Sequence, residues 1–137
     1  MVAKLSTTII KIKNLSNSAN SKILYEFLTY MKNNGSSERH QNNNLNLIIE
    51  LSNYFGCDTT FYDINKKEQI LSFLDTKIKD LAIDPEKRWI TSWNHYLTRI
   101  KLFYRWLYNK DKKEIDKDYW ETPEFLRIKN NKQNAIK

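Results

Sequence analysis

Between Glu86 and Asp111 the chain has no acidic residue, while Lys87, Arg88, Arg99, Lys101, Arg105 and Lys110 are all basic. Trp89, Trp93, Leu97, Ile100, Phe103, Tyr104 and Leu107 recur through this stretch at three- and four-residue steps, the pattern of a helix with one long apolar stripe. Away from that stripe lie Thr91, Asn94, His95, Thr98, Lys101 and Arg105, and His95 and Arg99 are four apart, so they can share a surface. Hydroxyls, an amide, an imidazole and cations on one exposed helical face are the groups that grip phosphates and reach base edges. Any long surface helix is polar on one side, but such faces ordinarily mix both charge signs. Here one sign is missing. A second stretch, Glu38-Arg39-His40-Gln41-Asn42-Asn43-Asn44, is entirely polar. On a helix whose later turns are buried it turns Arg39, His40, Asn42, Asn43 and Asn46 outward, and Asn can make the bidentate contact that reads adenine. A solvated helix start in an Asn-rich chain has the same composition.

Other chemistries find little support. His40 and His95 have no Cys, Asp or Glu at metal-ligand spacing, so no metal or cofactor is expected. The single Cys57 permits no internal disulfide and, just after Gly56, reads as a small buried residue at a helix end. Nothing prepares a Cys–His nucleophile pair. Asp116 and Asp118 fall in a charged connector where solvation accounts for them. Two glycines cannot build a Gly-rich phosphate loop.

The whole-chain arithmetic narrows the class. There are 137 residues, 40% hydrophobic, with 23 Lys+Arg against 16 Asp+Glu and a formal net charge of +7. Four Trp, eight Tyr and six Phe supply a core, which argues against wholesale disorder. Two Gly, two Pro and no Val after Val2 weigh against a β-sandwich or small barrel. No stretch approaches the roughly 20 apolar residues of a membrane span, and the N-terminus has no apolar signal region. An intracellular protein is therefore expected. The basic excess raises nucleic acid as a partner, although frequent Lys, Asn and Ile would also follow from an AT-rich coding bias.

The elements that must position these residues are helices. Residues 1–19 read as an N-terminal arm, with a short β-like alternation of Thr7, Ile9 and Lys11 against Thr8, Ile10 and Ile12 that a loose strand or a tail would fit equally. A first helix follows an N-cap at Asn20 or Ser21, carries Ile23, Leu24, Phe27, Leu28, Tyr30 and Met31 inward, and stops at Gly35. A second runs from Ser36 or Ser37 to Gly56. A third starts with capping-box spacing at Asn65 and Glu68 and presents Ile70, Phe73, Leu74, Ile78 and Leu81. A fourth begins at Asp84-Pro85-Glu86 and extends to Asn109. Residues 20–110 are thus a helical core of four main helices. Residues 111–137 form a charged connector, a short helical turn at Thr122-Pro123-Glu124, and a basic tail. The fold class is all-α.

This order resembles a known family. A helix ending at Gly35, Ser36-Ser37-Glu38-Arg39 opening the next, Tyr54-Phe55-Gly56 closing it, Asp63-Ile64, Ile70-Leu71-Ser72-Phe73-Leu74 and the run from Trp93 to Leu107 together resemble the N-terminal core-binding (SAM-like) domain of tyrosine recombinases, the phage-integrase class, and most closely its archaeal integrase members. The likeness covers about residues 20–128, and Leu97-x-x-Ile100-Lys101-x-Phe103-Tyr104-x-Trp106-Leu107 is its most specific part, largely a packing signature. The resemblance implies two crossed helical hairpins clamping duplex DNA opposite a separate catalytic domain, with the second and fourth helices in adjacent stretches of major groove. Carried over, it selects Arg39, His40, Asn42, Asn43 and Asn46, then Thr91, Asn94, His95, Thr98 and Arg99 as DNA-binding residues, to which the charge pattern of the fourth helix adds Lys87, Arg88, Lys101 and Arg105. It further implies self-assembly on DNA, a nucleoid location, and a catalytic domain of the same recombinase as partner. The family's catalytic Arg, Lys, His-x-x-Arg and Tyr set lies in that other domain. Neither His here has Arg three residues on, so no strand cleavage is expected of this chain, which reads as one domain of a longer protein. The rival expectation is a helical protein-interaction module whose basic face meets an acidic partner.

Overall fold

The computed structural model describes residues 4–129, and these are all-helical, with five α-helices and no strand among them. The packing divides after Ile64 into two compact units. The segments expected to flank the helical core as an arm and a connector both pack against helices.

In the first unit α1 spans Leu5–Lys13, α2 Ser18–Asn33 and α3 Glu38–Phe55, followed by a 3-10 turn at Phe61–Asp63. The N-terminal stretch is therefore a helix and not a β-like arm. Its Thr and Ile residues fit both periods over so few positions, and packing decides. Thr8 and Ile12, one turn apart, are buried, and α1 lies against α3. A nine-residue helix rich in β-branched side chains is not stable alone; it exists here because α3 covers its inner stripe. Lys11 and Lys13 in its last turn suit the helix dipole.

The cap of α2 is Asn17, whose Oδ1 accepts from the Asn20 amide at 3.0 Å, three residues before the expected position. Asn20 is instead fully buried and ties three segments together. Its Nδ2 donates to Ser52 Oγ (3.0 Å) and to the Thr59 carbonyl (3.1 Å), while its Oδ1 accepts from Phe61 N at 2.9 Å. Gly35 ends α2 as expected: its φ is 73°, and Ser36 N and Gly35 N donate to the carbonyls of Met31 and Lys32, closing the end with paired bonds that need a left-handed residue. Ser37 caps α3 by accepting from His40 N at 3.1 Å. Cys57 is exposed, contrary to its expected burial, because the chain turns outward after Gly56 and Asn17 Nδ2 holds the Cys57 carbonyl (2.9 Å).

In the second unit α4 spans Lys67–Asp75 and α5 Trp89–Leu107, with 3-10 turns at Glu114–Asp116 and Glu124–Leu126. α4 is shorter than expected. Thr76 N and Thr76 Oγ1 both donate to the Phe73 carbonyl, at 3.1 and 2.6 Å, so the acceptor that the next helical turn needs is taken. Ile78 and Leu81, expected in the core, are 43% and 46% exposed. Its start is capped by Gln69, whose Oε1 accepts from Asn65 N and Lys66 N, both at 2.9 Å, rather than by an Asn65–Glu68 box.

α5 likewise starts later than Asp84-Pro85-Glu86 suggests. Those residues form a turn in which Lys87 N donates to the Asp84 carbonyl and Lys87 takes a φ of 55°. Asp84 still serves as the cap: its Oδ2 reaches forward to accept from Trp89 N at 2.9 Å. Of the expected apolar stripe Trp93, Leu97, Ile100, Phe103, Tyr104 and Leu107 are buried and Trp89 is half-buried, while Trp106, outside that stripe, is buried as well. The connector folds back on this helix. Asn109, buried, donates from Nδ2 to the Arg105 and Asp118 carbonyls and accepts at Oδ1 from Asp118 N. Phe125 meets the Tyr104 ring edge-on at 5.2 Å, and Leu126 is fully buried. The expected basic tail beyond Lys129 lies outside the described residues.

Candidate nucleic-acid interface

α5 presents the acid-free stretch as an ordered surface. Burial of Trp93, Leu97 and Ile100 fixes the helix's roll, and Thr91, His95 and Thr98 are left exposed on the other side at steps of four and three. Thr98 Oγ1 donates back to the Asn94 carbonyl (3.1 Å), and Asn94 is half-buried beside it. Arg99 is half-buried, its guanidinium 5.9 Å from the centroid of the Tyr96 ring. That cation–π contact holds the cation over the helix surface while leaving its N–H fork free to point outward.

Two cations expected to share this surface are used internally. Lys101 Nζ donates to the Ile128 carbonyl at 2.5 Å. Arg105 donates from Nε (3.1 Å) and Nη2 (2.7 Å) to Thr122 Oγ1. Both cations stitch the returning C-terminal segment to α5. Burial, with the neighbouring Arg105 charge adding to it, pushes the Lys101 ammonium below the usual lysine range. Tyr104 beneath them is held well above the usual phenol range by burial and by Tyr108. At the N-terminal end Arg88 is exposed but ion-paired, its Nη2 2.5 Å from Glu86 Oε2. Lys87 lies in the turn before the helix.

Two basic groups near this surface escaped the sequence pattern. Lys77 Nζ sits 5.3 Å from the Phe73 ring centroid and 5.5 Å from that of Tyr96. Lys77, Lys79 and Arg88 border one depression with Ser92 and Tyr96. The hydrophobic period does not mark them, because it is the early end of α4 that takes Lys77 and Lys79 off a helix face and onto the rim of this depression.

In the first unit the polar start of α3 separates into two sets. Arg39 and His40 are exposed, and Asn43 and Asn46 are half-buried. His40 Nε2 lies 3.0 Å from Asn44 Nδ2. Asn42, expected to face outward, is only 3% exposed. Its Oδ1 accepts a short hydrogen bond from Thr8 Oγ1 and a second, at 3.2 Å, from Asn46 Nδ2. The physical reason is α1, which covers this side of α3 and draws the amides into the joint. Gln41 and Asn44 are buried as well, Gln41 Nε2 donating to the Ser36 carbonyl at 2.8 Å. The α3 and α5 residues belong to different units, and each set clusters within its own.

No protein-family model, curated protein or solved structure matches this chain. What its surface can do is set by its own groups. Among the described residues no three His, Cys, Asp or Glu side chains come together to hold a metal ion, and no helix is long and apolar enough to cross a membrane. The α5 face offers hydroxyls, an imidazole and a guanidinium in a row about two turns long, with no carboxylate on the helix.

Proposed function

We propose that this chain binds double-stranded DNA through the outward face of α5, as the core-binding domain of a site-specific tyrosine recombinase that leaves strand cleavage to a separate catalytic domain. The observation that carries the DNA-binding part is the exposed row Thr91, His95, Thr98 with Arg99 beside it, on a helix without acidic residues. An α-helix fits the major groove, and these side chains are of the right kinds to donate and accept at base edges while Arg99 takes a phosphate or a guanine. The recombinase part rests on the resemblance of residues 20–128. Arg39, His40 and Asn43 at the start of α3 are the second contact set in this reading.

Titration of isotopically labelled protein with a duplex, followed by amide chemical shifts, tests it. The expected result is a set of perturbed amides centred on Thr91 to Arg99. Perturbations confined to residues 111–121, or none, would contradict it.

A second reading, a protein-interaction module, is favoured by Ile115 and Trp120, which are 90% and 89% exposed on the connector. Such apolar groups suit a protein partner better than DNA. In that case duplex DNA does not compete with the partner for the α5 face.

A further inference from the structure

The exposed side of α1 carries a basic surface separate from the α5 face. From Met1 to Tyr25 the sequence has no acidic residue; the first is Glu26. Lys4, Thr7, Lys11 and Asn14 follow one another along α1 and its two caps at three- and four-residue steps, and all four are exposed. The hydrogen bond from Thr8 to Asn42 and the burial of Ile12 fix which side of α1 meets α3. Lys11 Nζ then reaches Asn46 Oδ1 at 3.4 Å, which brings this row alongside α3. Asn43 and Arg39 continue from Asn46 at helical steps on α3, half-buried and exposed respectively. Glu50 and Glu38 mark the two ends of that strip on α3. Between them the row on α3 holds no acidic residue.

We infer that α1 is a phosphate-gripping element, with Lys4 and Lys11 contacting one strand of a duplex whose edge Asn43 approaches. Seven residues of helix separate the two ammonium stems by about 10 Å. That spacing lets the two flexible side chains reach neighbouring phosphates of one strand, which wind around the duplex axis. Thr7 between them offers a hydroxyl to the intervening backbone. Asn42 takes no part, since its side chain oxygen is occupied by Thr8 and Asn46. The inference rests on the duplex-binding reading and extends it to a helix that reading does not use.

The test compares the intact chain, Lys4→Gln/Lys11→Gln, and Lys22→Gln/Lys32→Gln on the outer face of α2, each titrated with a labelled duplex across a salt series. Each phosphate contact contributes about 0.9 to the slope of log affinity against log salt. The expected result is a slope smaller by about 2 for the α1 pair and unchanged for the α2 pair. An unchanged slope for the α1 pair, or an equal fall for both pairs, overturns the assignment while leaving the α5 reading intact. A wild-type chain that binds no duplex at low salt defeats the α5 reading and this inference together.

Discussion

Arg99 and Arg105 lie on the same helix, yet the structure gives them different work, and single substitutions should separate them. Arg99, poised over Tyr96, is proposed to meet DNA. Its replacement by Ala is expected to weaken binding to every duplex and to lower the salt slope by about 1. Arg105 holds Thr122. Arg105→Ala is expected to leave the salt slope nearly unchanged and to lower stability, by roughly 1 kcal/mol for a charge-assisted bond at a half-exposed site; chemical denaturation checks this. His95→Ala and Asn43→Ala should relax sequence preference rather than bulk affinity, costing ~1–3 kcal/mol on a preferred site and little on a scrambled one if each reads a base. Asn42→Ala, by contrast, removes the buried oxygen that accepts from Thr8 Oγ1 and from Asn46 Nδ2. A stability loss of about 1–3 kcal/mol is expected, with sequence preference intact.

At the scale of elements, the apolar stripes were legible because each is long and strictly periodic. α2 and α5 bury most of the residues their spacing selects, and Gly35 and Gly56 end helices where the sequence places them. What was not legible depended on contacts between distant segments. α1 looks like an arm until α3 covers Thr8 and Ile12, and the same contact turns Asn42 from an outward amide into a buried one. α4 stops early because the Thr76 hydroxyl and amide take the Phe73 carbonyl, a competition that a hydrophobic period does not register. The Asp84-Pro85-Glu86 signal was sound chemistry at the wrong register, since Asp84 caps α5 from five residues away. For the candidate site, the exposure of Thr91, His95 and Thr98 follows from the period alone. The capture of Lys101 and Arg105 does not, because it requires knowing that residues 122–128 fold back. Removing the Thr122 hydroxyl by Thr122→Val is therefore expected to raise hydrogen exchange across 122–128 while leaving the middle of α5 protected.

Across the whole molecule the positive charge is distributed by segment rather than evenly. The acid-free runs 1–25 and 87–110 fall in different compact units, so each unit carries a basic surface of its own. The buried phenol of Tyr104 gives the fold a specific alkaline weakness. Its pKa is raised in the folded state, so its contribution is fully present below about pH 10, the unfolded value, and is lost as pH rises toward the folded one. Thermal melts between neutral pH and pH 11 should show stability falling above about pH 10, and Tyr104→Phe should flatten that fall. The proposal as a whole is tested most directly by the affinity of the intact chain for a duplex at two salt concentrations. Binding at low salt that falls steeply as salt rises, with the fall made shallower by Arg99→Ala, is the predicted result. No binding at low salt, or binding indifferent to both salt and Arg99, would contradict it.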